Sequence, residues 1–363
     1  MPDPTTVALV LATSTGGVGR HVRSLVDGYV ARGVGVRVLA PADTDARFGF
    51  SAAGAEFVDV PIAAGTRPLA DLRAATALRH GLGDATVVHA HGLRAGLLAV
   101  LVGGPRPVVV TWHNLVLGSA PARSVYALLE RVVARRATVT LTVSPDLTDR
   151  VRRLGGRDVR PTPVAALPGR GATRDRAETR GEMGATDRPL VLAAGRLHPQ
   201  KGFDTLIRAS CAWTTRQSPP VVVLAGDGPL RDELAGLVRR LDAPVRLLGH
   251  RDDVADLLAA ADVLVVPSRW EGRSLLVQEA MRAGTAIVAA ATGGTPDLVQ
   301  DAALLVPAGD VAALVGGVSA LLDDAGERAA LGARARKVAA GWPSADEVAA
   351  QTLALYRELL GPA

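Results

Sequence analysis

Short apolar runs alternate along this chain with stretches in which apolar residues recur every three to four positions. Val7–Ala12 (VALVLA) is a continuous run of the buried-strand kind, and it opens into Thr13-Ser14-Thr15-Gly16-Gly17. Behind the glycines, Val18, Val22, Leu25, Val26, Tyr29 and Val30 fall on one helical face, and Val36–Leu39 reads as the next strand. Strand, glycine loop, helix and strand make a βαβ unit. Gly16 and Gly17 let the backbone approach a ligand at the helix start. The loop lacks the third glycine of a dinucleotide fingerprint.

The alternation predicts further strands at 56–60, 86–89, 107–111 and 138–143, with helices at 69–82, 93–102, 124–135 and 145–154. Two of these strands run into HAHG and TWHN. Ligands of parallel α/β sheets bind beyond the carboxyl ends of the strands. That makes His113, between Trp112 and Asn114, a candidate for substrate contact, while His91 reads as a hydrogen-bonding loop residue. From Pro161 to Arg188 proline, glycine and charge replace periodicity, as in a linker. The alternation restarts at Leu190–Ala194, with strands at 221–225, 245–248, 262–267, 286–290 and 304–307. The expected organisation is two α/β domains, 1–165 and 189–341, joined by a linker over 166–188, with a ligand cleft between them. Ser344-Ala345-Asp346-Glu347 is a capping box. It opens a last segment, 342–363, expected to cross back over the first domain.

Composition narrows the class. Of 363 residues 48% are hydrophobic but only 3% aromatic, so the cores must be Val, Leu and Ala, which suits parallel sheets covered on both faces. A net charge of +5 could meet nucleic acid, anionic lipid or phosphorylated small molecules. The positive residues are scattered arginines and aromatic stacking partners are few, which argues against nucleic acid. No apolar run reaches membrane-span length, no secretory signal opens the chain, and the single Cys211 fits a reducing cytoplasm. The helix around Ser124–Arg135, with Arg123, Arg131, Arg135 and Arg136 beside an apolar stripe, is the one stretch that suits peripheral contact with the inner face of a membrane.

The candidate chemistry concentrates in the second half. Gly195-Arg196-Leu197-His198-Pro199-Gln200-Lys201-Gly202 follows a strand directly, and Arg196 can fork two phosphate oxygens while Lys201 adds a compact charge. Fixed cations there would stabilise a departing diphosphate more than the ground state. After DVLVVP comes Glu271-Gly272-Arg273-Ser274-Leu275, with Ser274 placed to N-cap a helix and Glu279 about one and a half turns along it. Two hydroxyl-seeking acids around an anion-favouring helix start suit a sugar joined to a phosphate. His250 and Arg251, at the end of another strand, could border a nucleobase. No His/Cys/Asp/Glu cluster has metal-ligand spacing, so neither a metal nor a prosthetic group is expected.

The set GRLHPQKG, LAGDGP, LLGH, ADVLVVPSRWEGRSLLVQEAMRAG and GGTPDLV, in this order, resembles glycosyltransferase family 4, departing from it at Asp297, where the family usually carries Glu. STGGVGRHV, VVHAHG and TWHN resemble its first half more loosely. The resemblance implies the GT-B fold, two Rossmann-like doubly wound domains facing each other across a cleft, and retaining transfer of a hexose from a UDP- or GDP-sugar to an unidentified hydroxyl acceptor, whether a glycolipid, a polysaccharide precursor or a small metabolite. It further implies that Arg196 and Lys201 bind the donor diphosphate, that Glu279 holds the ribose, and that Glu271 faces the sugar hydroxyls with amides of Arg273, Ser274 and Leu275 assisting. His113 would approach the transferred sugar, and Gly16 and Gly17 would line the cleft near the phosphates. A sugar-nucleotide epimerase and a non-catalytic nucleotide-sugar binder are the alternatives on the same architecture.

Overall fold

Strands built from Val, Leu and Ala must be covered on both faces, and the second half of the chain shows how. In the computed structural model, Leu190, Leu192 and Ala194 face one buried cluster, while Val191 and Ala193 of the same strand face another. Each cluster is completed by its own layer of helices. The structure describes residues 6–14, 16–63, 65, 68–115, 120–162 and 171–361.

Thirteen strands among these residues form two parallel sheets. The first holds β1 (Thr6–Leu11), β2 (Gly35–Ala40), β3 (Glu56–Asp59), β4 (Val87–His91), β5 (Val108–Trp112), β6 (Val139–Thr142) and β7 (Val159–Pro161) in the order β3-β2-β1-β4-β5-β6-β7. The second holds β8 (Leu190–Ala194), β9 (Val221–Ala225), β10 (Val245–Gly249), β11 (Val263–Val266), β12 (Ala286–Ala290) and β13 (Leu304–Val306) in the order β10-β9-β8-β11-β12-β13. Both sheets are doubly wound. In each, the strand order reverses between two neighbours, β1 and β4 in the first and β8 and β11 in the second, and such a switch point opens a crevice at the carboxyl ends.

The contacts group Met1–Leu167 with Pro343–Ala363 as one unit and Pro168–Trp342 as the other. The last helix, Ala345–Leu360, carries the complete Ser344/Glu347 capping box and packs on the first helix, Gly17–Val30. The fit is close: a Cβ on Gly28 would lie 2.5 Å from that of Ala349. At the same contact the buried hydroxyls of Tyr29 and Tyr356 are 3.1 Å apart.

The stretch 166–188, read from its composition as a linker, differs. Its first residues lie outside those described, but Arg176–Glu182 is a helix capped by Asp175, with Thr179 and Met183 buried. The buried carboxylate of Asp256 accepts the amides of Thr173 (2.6 Å) and Arg174 (3.0 Å) and ties the segment to the second unit. Seven residues, mostly charged, are too short a helix to print an apolar period.

Candidate functional site

At the switch point of the second sheet, β8 delivers the loop from Gly195 to Gly202 and β11 delivers the loop from Pro267 to Ser274. Lys201 ends a short turn, Pro199–Lys201, and its Nζ lies 2.5 Å from Glu271 Oε1. Ser268 Oγ donates to the same oxygen at 2.7 Å. Glu271 keeps only 8% of its side chain exposed and Lys201 25%, so the pair sits in a partly desolvated recess where opposite charges attract strongly. Backbone contacts hold the two loops together, Arg269 donating to the Gln200 carbonyl at 2.8 Å and the Gln200 side chain to that of Trp270 at 2.9 Å. The carbonyl of Glu271 accepts the Gly294 amide at 2.9 Å. Gly293 allows this approach, because its φ is +54° and a Cβ there would lie 2.0 Å from that carbonyl oxygen.

The helix Leu275–Ala283 starts where expected, with buried Ser274 accepting the Val277 amide at 3.4 Å. Leu275 is its first residue, and Glu279 is half-buried one turn further on. Arg273 lies half-buried before the cap, its guanidinium 5.5 Å from the ring centre of Trp342. Burial pulls its pKa down, opposed by the charge of Asp297. Its Nε and both amide atoms of fully buried Gln278 have no hydrogen-bond partner among the described residues. Arg196 stands exposed on the β8 loop. Arg251 is engaged by Asp253 at 2.5 Å and Glu182 at 2.9 Å, and His250, largely exposed, lies 3.1 Å from Asp252.

The remaining candidates belong to the first unit. Gly16 and Gly17 follow β1 and start the first helix, where Ser14 Oγ accepts the Gly19 amide at 3.2 Å. β4 extends to His91, so His89 and His91 lie in the strand, and His113 directly follows β5. His91 Nδ1 and His113 Nε2 are 3.1 Å apart. His89 bonds through both nitrogens, to Tyr356 Oη at 2.5 Å and Thr111 Oγ1 at 2.7 Å. Burial keeps these rings neutral, lowering the pKa of His89 to about 3 and those of His91 and His113 well below the usual value. His21, overlooked in the sequence, joins them from the inner face of the first helix, with its pKa lowered to about 4. Its signal was a polar residue inside the apolar stripe of Val18, Val22 and Leu25.

Comparison with known proteins agrees with this architecture. Residues 16–170 match the family described as glycosyl transferase 4-like domain, and residues 188–324 match glycosyl transferases group 1. D-inositol 3-phosphate glycosyltransferase of Actinosynnema mirum is 34% identical over 252 residues, 61% of this chain and 60% of the relative. 2-deoxystreptamine N-acetyl-D-glucosaminyltransferase of Streptomyces fradiae is 34% identical over 257 residues, 62% of this chain and 60% of the relative. In both cases the match spans less than two thirds of the relative's length. The structure of Anabaena HepE in complex with UDP-glucose superposes with a TM-score of 0.82 at 20% identity, covering 96% of this chain and 99% of the other. With both sheets doubly wound and both halves matched, the chain belongs to the GT-B glycosyltransferases of family 4.

Proposed function

We propose that the chain is a retaining glycosyltransferase that moves a hexose from a UDP- or GDP-sugar to a hydroxyl of a small polyhydroxylated acceptor. The observation that carries this reading is the Lys201–Glu271 pair at the switch point of the second sheet, beside the start of the helix Leu275–Ala283. Lys201, with Arg196 from the same loop, meets the donor diphosphate, each charge-assisted bond being worth about 1.5–3 kcal/mol. Glu271, already oriented by Lys201 and Ser268, accepts from sugar hydroxyls, and the helix-start amides of Arg273 to Leu275 favour the anionic end. Glu279 meets the ribose, while His113, with Gly16 and Gly17, serves the reacting end from the first unit. His250 and Arg251 border the base, which requires Arg251 to exchange part of its carboxylate pairing for the ligand. A phosphate oxygen of the donor takes the acceptor's proton, so no protein nucleophile is needed.

Inositol 3-phosphate and 2-deoxystreptamine, named for the two relatives, are six-membered rings rich in hydroxyl or amino groups, which supports a cyclitol-like acceptor. The test is transfer from a panel of UDP-, GDP- and ADP-sugars to cyclitols, with the anomeric configuration of the product read by NMR. Transfer with retention is expected, and Arg196→Ala and Glu271→Ala should abolish it. Full activity in both variants, or interconversion of free donor without transfer, overturns the reading.

A peripheral membrane location has its own support. In the helix Ala120–Arg136, Val125 and Leu128 are 54% and 62% exposed, next to exposed Arg131. The side chain of Arg123 lies outside the described residues. No helix among the described residues is long and apolar enough to cross a membrane. Co-sedimentation with vesicles rich in phosphatidylglycerol, lost in a Val125→Glu, Leu128→Glu double variant, checks the contact on the cytoplasmic face.

A further inference from the structure

Three imidazoles from three separate elements converge at the switch point of the first sheet: His21 from the first helix, His91 from the end of β4 and His113 from just beyond β5. Their ring centres form a nearly equilateral triangle, 5.3 Å between His91 and His113, 5.5 Å between His21 and His113, and 5.7 Å between His21 and His91. One ligand nitrogen from each lies within 4.8 Å of the other two. All three residues are buried, and His21 Nδ1 and His91 Nε2 have no hydrogen-bond partner among the described residues. A buried polar atom left unpaired costs about 1–3 kcal/mol, so two of them in one cluster mark a place built for something else to bind.

We propose that His21, His91 and His113 form a binding site for a divalent transition-metal ion of the zinc class. Zinc binds imidazole nitrogen at about 2.0–2.1 Å, and tetrahedral directions from one such ion put ligand nitrogens about 3.3 Å and ring centres about 5 Å apart. The ring centres of the triad, 5.3–5.7 Å apart, are slightly wider than this. Each neutral imidazole keeps one N–H and offers one bare nitrogen to a metal. His89 is excluded as a ligand because both its nitrogens are engaged, but its ring lies 4.2 Å from that of His91 and buttresses it. A cage of nitrogens without carboxylates disfavours Mg2+ and Ca2+, which take oxygen ligands. Three protein ligands leave a coordination position for water or another small ligand. Spacing along the chain hides the triad, since its members are 70 and 22 residues apart.

The test uses the full chain stripped with EDTA, titrated with Zn2+ by calorimetry and with Co2+ by visible absorption. One ion per chain is expected, with the ligand-field bands of a four- or five-coordinate nitrogen site, displaced by Zn2+ but not by Mg2+. His21→Ala and His91→Ala should each weaken Zn2+ by about a hundredfold or more, the upper end of what losing an outer-shell partner costs. His80→Ala, at an exposed histidine, should change nothing. Failure of the wild type to bind Zn2+ below millimolar concentration, or undiminished wild-type affinity in both ligand variants, overturns the site. If the variants do not fold, X-ray absorption of the Zn2+-loaded wild type decides. About three imidazole nitrogens support the triad, and an oxygen-dominated shell refutes it. Because binding itself is measured, the result does not depend on what the protein transfers.

Discussion

Lys201 Nζ and Glu271 Oε1, seventy positions apart in sequence, are 2.5 Å apart at the crevice of the second sheet. The contact is asymmetric, since Glu271 is nearly sealed from water while Lys201 keeps a quarter of its side chain exposed. Removing the lysine leaves a buried carboxylate with Ser268 as its remaining side-chain partner among the described residues. Lys201→Met should cost about 1–3 kcal/mol, less than the 3–5 kcal/mol typical of fully buried pairs because water reaches the lysine side. Denaturant unfolding of the second unit measures this, and a Lys201→Met, Glu271→Gln double variant should recover part of the loss. Activity should not recover. If Lys201 stabilises a leaving diphosphate, kcat falls by about 100-fold or more in both variants.

Gly293 makes a second prediction separable from charge. Its left-handed backbone, at φ +54°, would bring a methyl group within 2.0 Å of the Glu271 carbonyl oxygen. Gly293→Ala must push the Glu271 loop away from the Gly294 amide, and should cost more than about 1 kcal/mol together with most of the activity. Gly309 is the control. Its φ is +76° but a Cβ there meets nothing within 4 Å, so Gly309→Ala should show the backbone cost alone and leave activity unchanged. Comparable losses in the two variants would mean that the contact with Glu271 is irrelevant.

The second unit was the more legible half, for a physical reason. The residues proposed to bind the donor sit mostly in two short loops that each follow a strand directly, so motif and geometry coincide in GRLHPQKG and in EGRSLL. Fully buried strands of Val, Leu and Ala announce themselves by unbroken apolar runs, and parallel alternation then forces the crevice to the switch points. Two things stayed hidden. The helix Arg176–Glu182 lies in a charged stretch whose roughly two turns of period are drowned by arginine and glutamate. The histidine cluster is contributed by three elements at unrelated spacings, and His91, read as a loop residue, lies at the buried end of β4 because the strand runs two residues beyond the range 86–89 expected from the sequence. Periodicity reports which face is buried, not which buried polar groups meet.

Tyr356 carries two buried hydrogen bonds on one hydroxyl, to His89 Nδ1 at 2.5 Å and to Tyr29 Oη at 3.1 Å. Tyr356→Phe preserves the packing and removes only that oxygen. It leaves a buried imidazole nitrogen unpaired, so it should destabilise the first unit by about 1–3 kcal/mol. Leu353→Ala, which instead opens a cavity beneath the same helix, should cost about 2–5 kcal/mol. Urea unfolding followed by near-ultraviolet circular dichroism reads both. A Tyr356→Phe variant as stable as the wild type would show that the hydroxyl contributes nothing to docking the last helix.

The same helix is also held from its solvent side by carboxylates, and this fixes a pH dependence. Asp346 pairs with Arg32 at 2.6 Å, Glu347 caps Ser344 at 2.7 Å, and Glu358 and Asp158 share Arg160 at 2.7 and 2.6 Å. The pKa of each of these four carboxylates is lowered, the chief cause being the hydrogen bond from its arginine or, for Glu347, from the Ser344 amide. A carboxylate with a folded pKa below its unfolded value of about 4 contributes stability that is complete above that value. The contribution is lost as pH falls through the folded pKa. The first unit should therefore lose Tm between about pH 4.5 and pH 2.5 through these groups, with the last helix exchanging amide hydrogens first. Arg160→Gln isolates the effect from every other titrating group. Its Tm deficit against the wild type should be constant from pH 8 to pH 6 and shrink toward zero as Asp158 and Glu358 protonate. A deficit that persists unchanged at pH 2.5 would mean that Arg160 acts through packing of its side chain rather than through its charge.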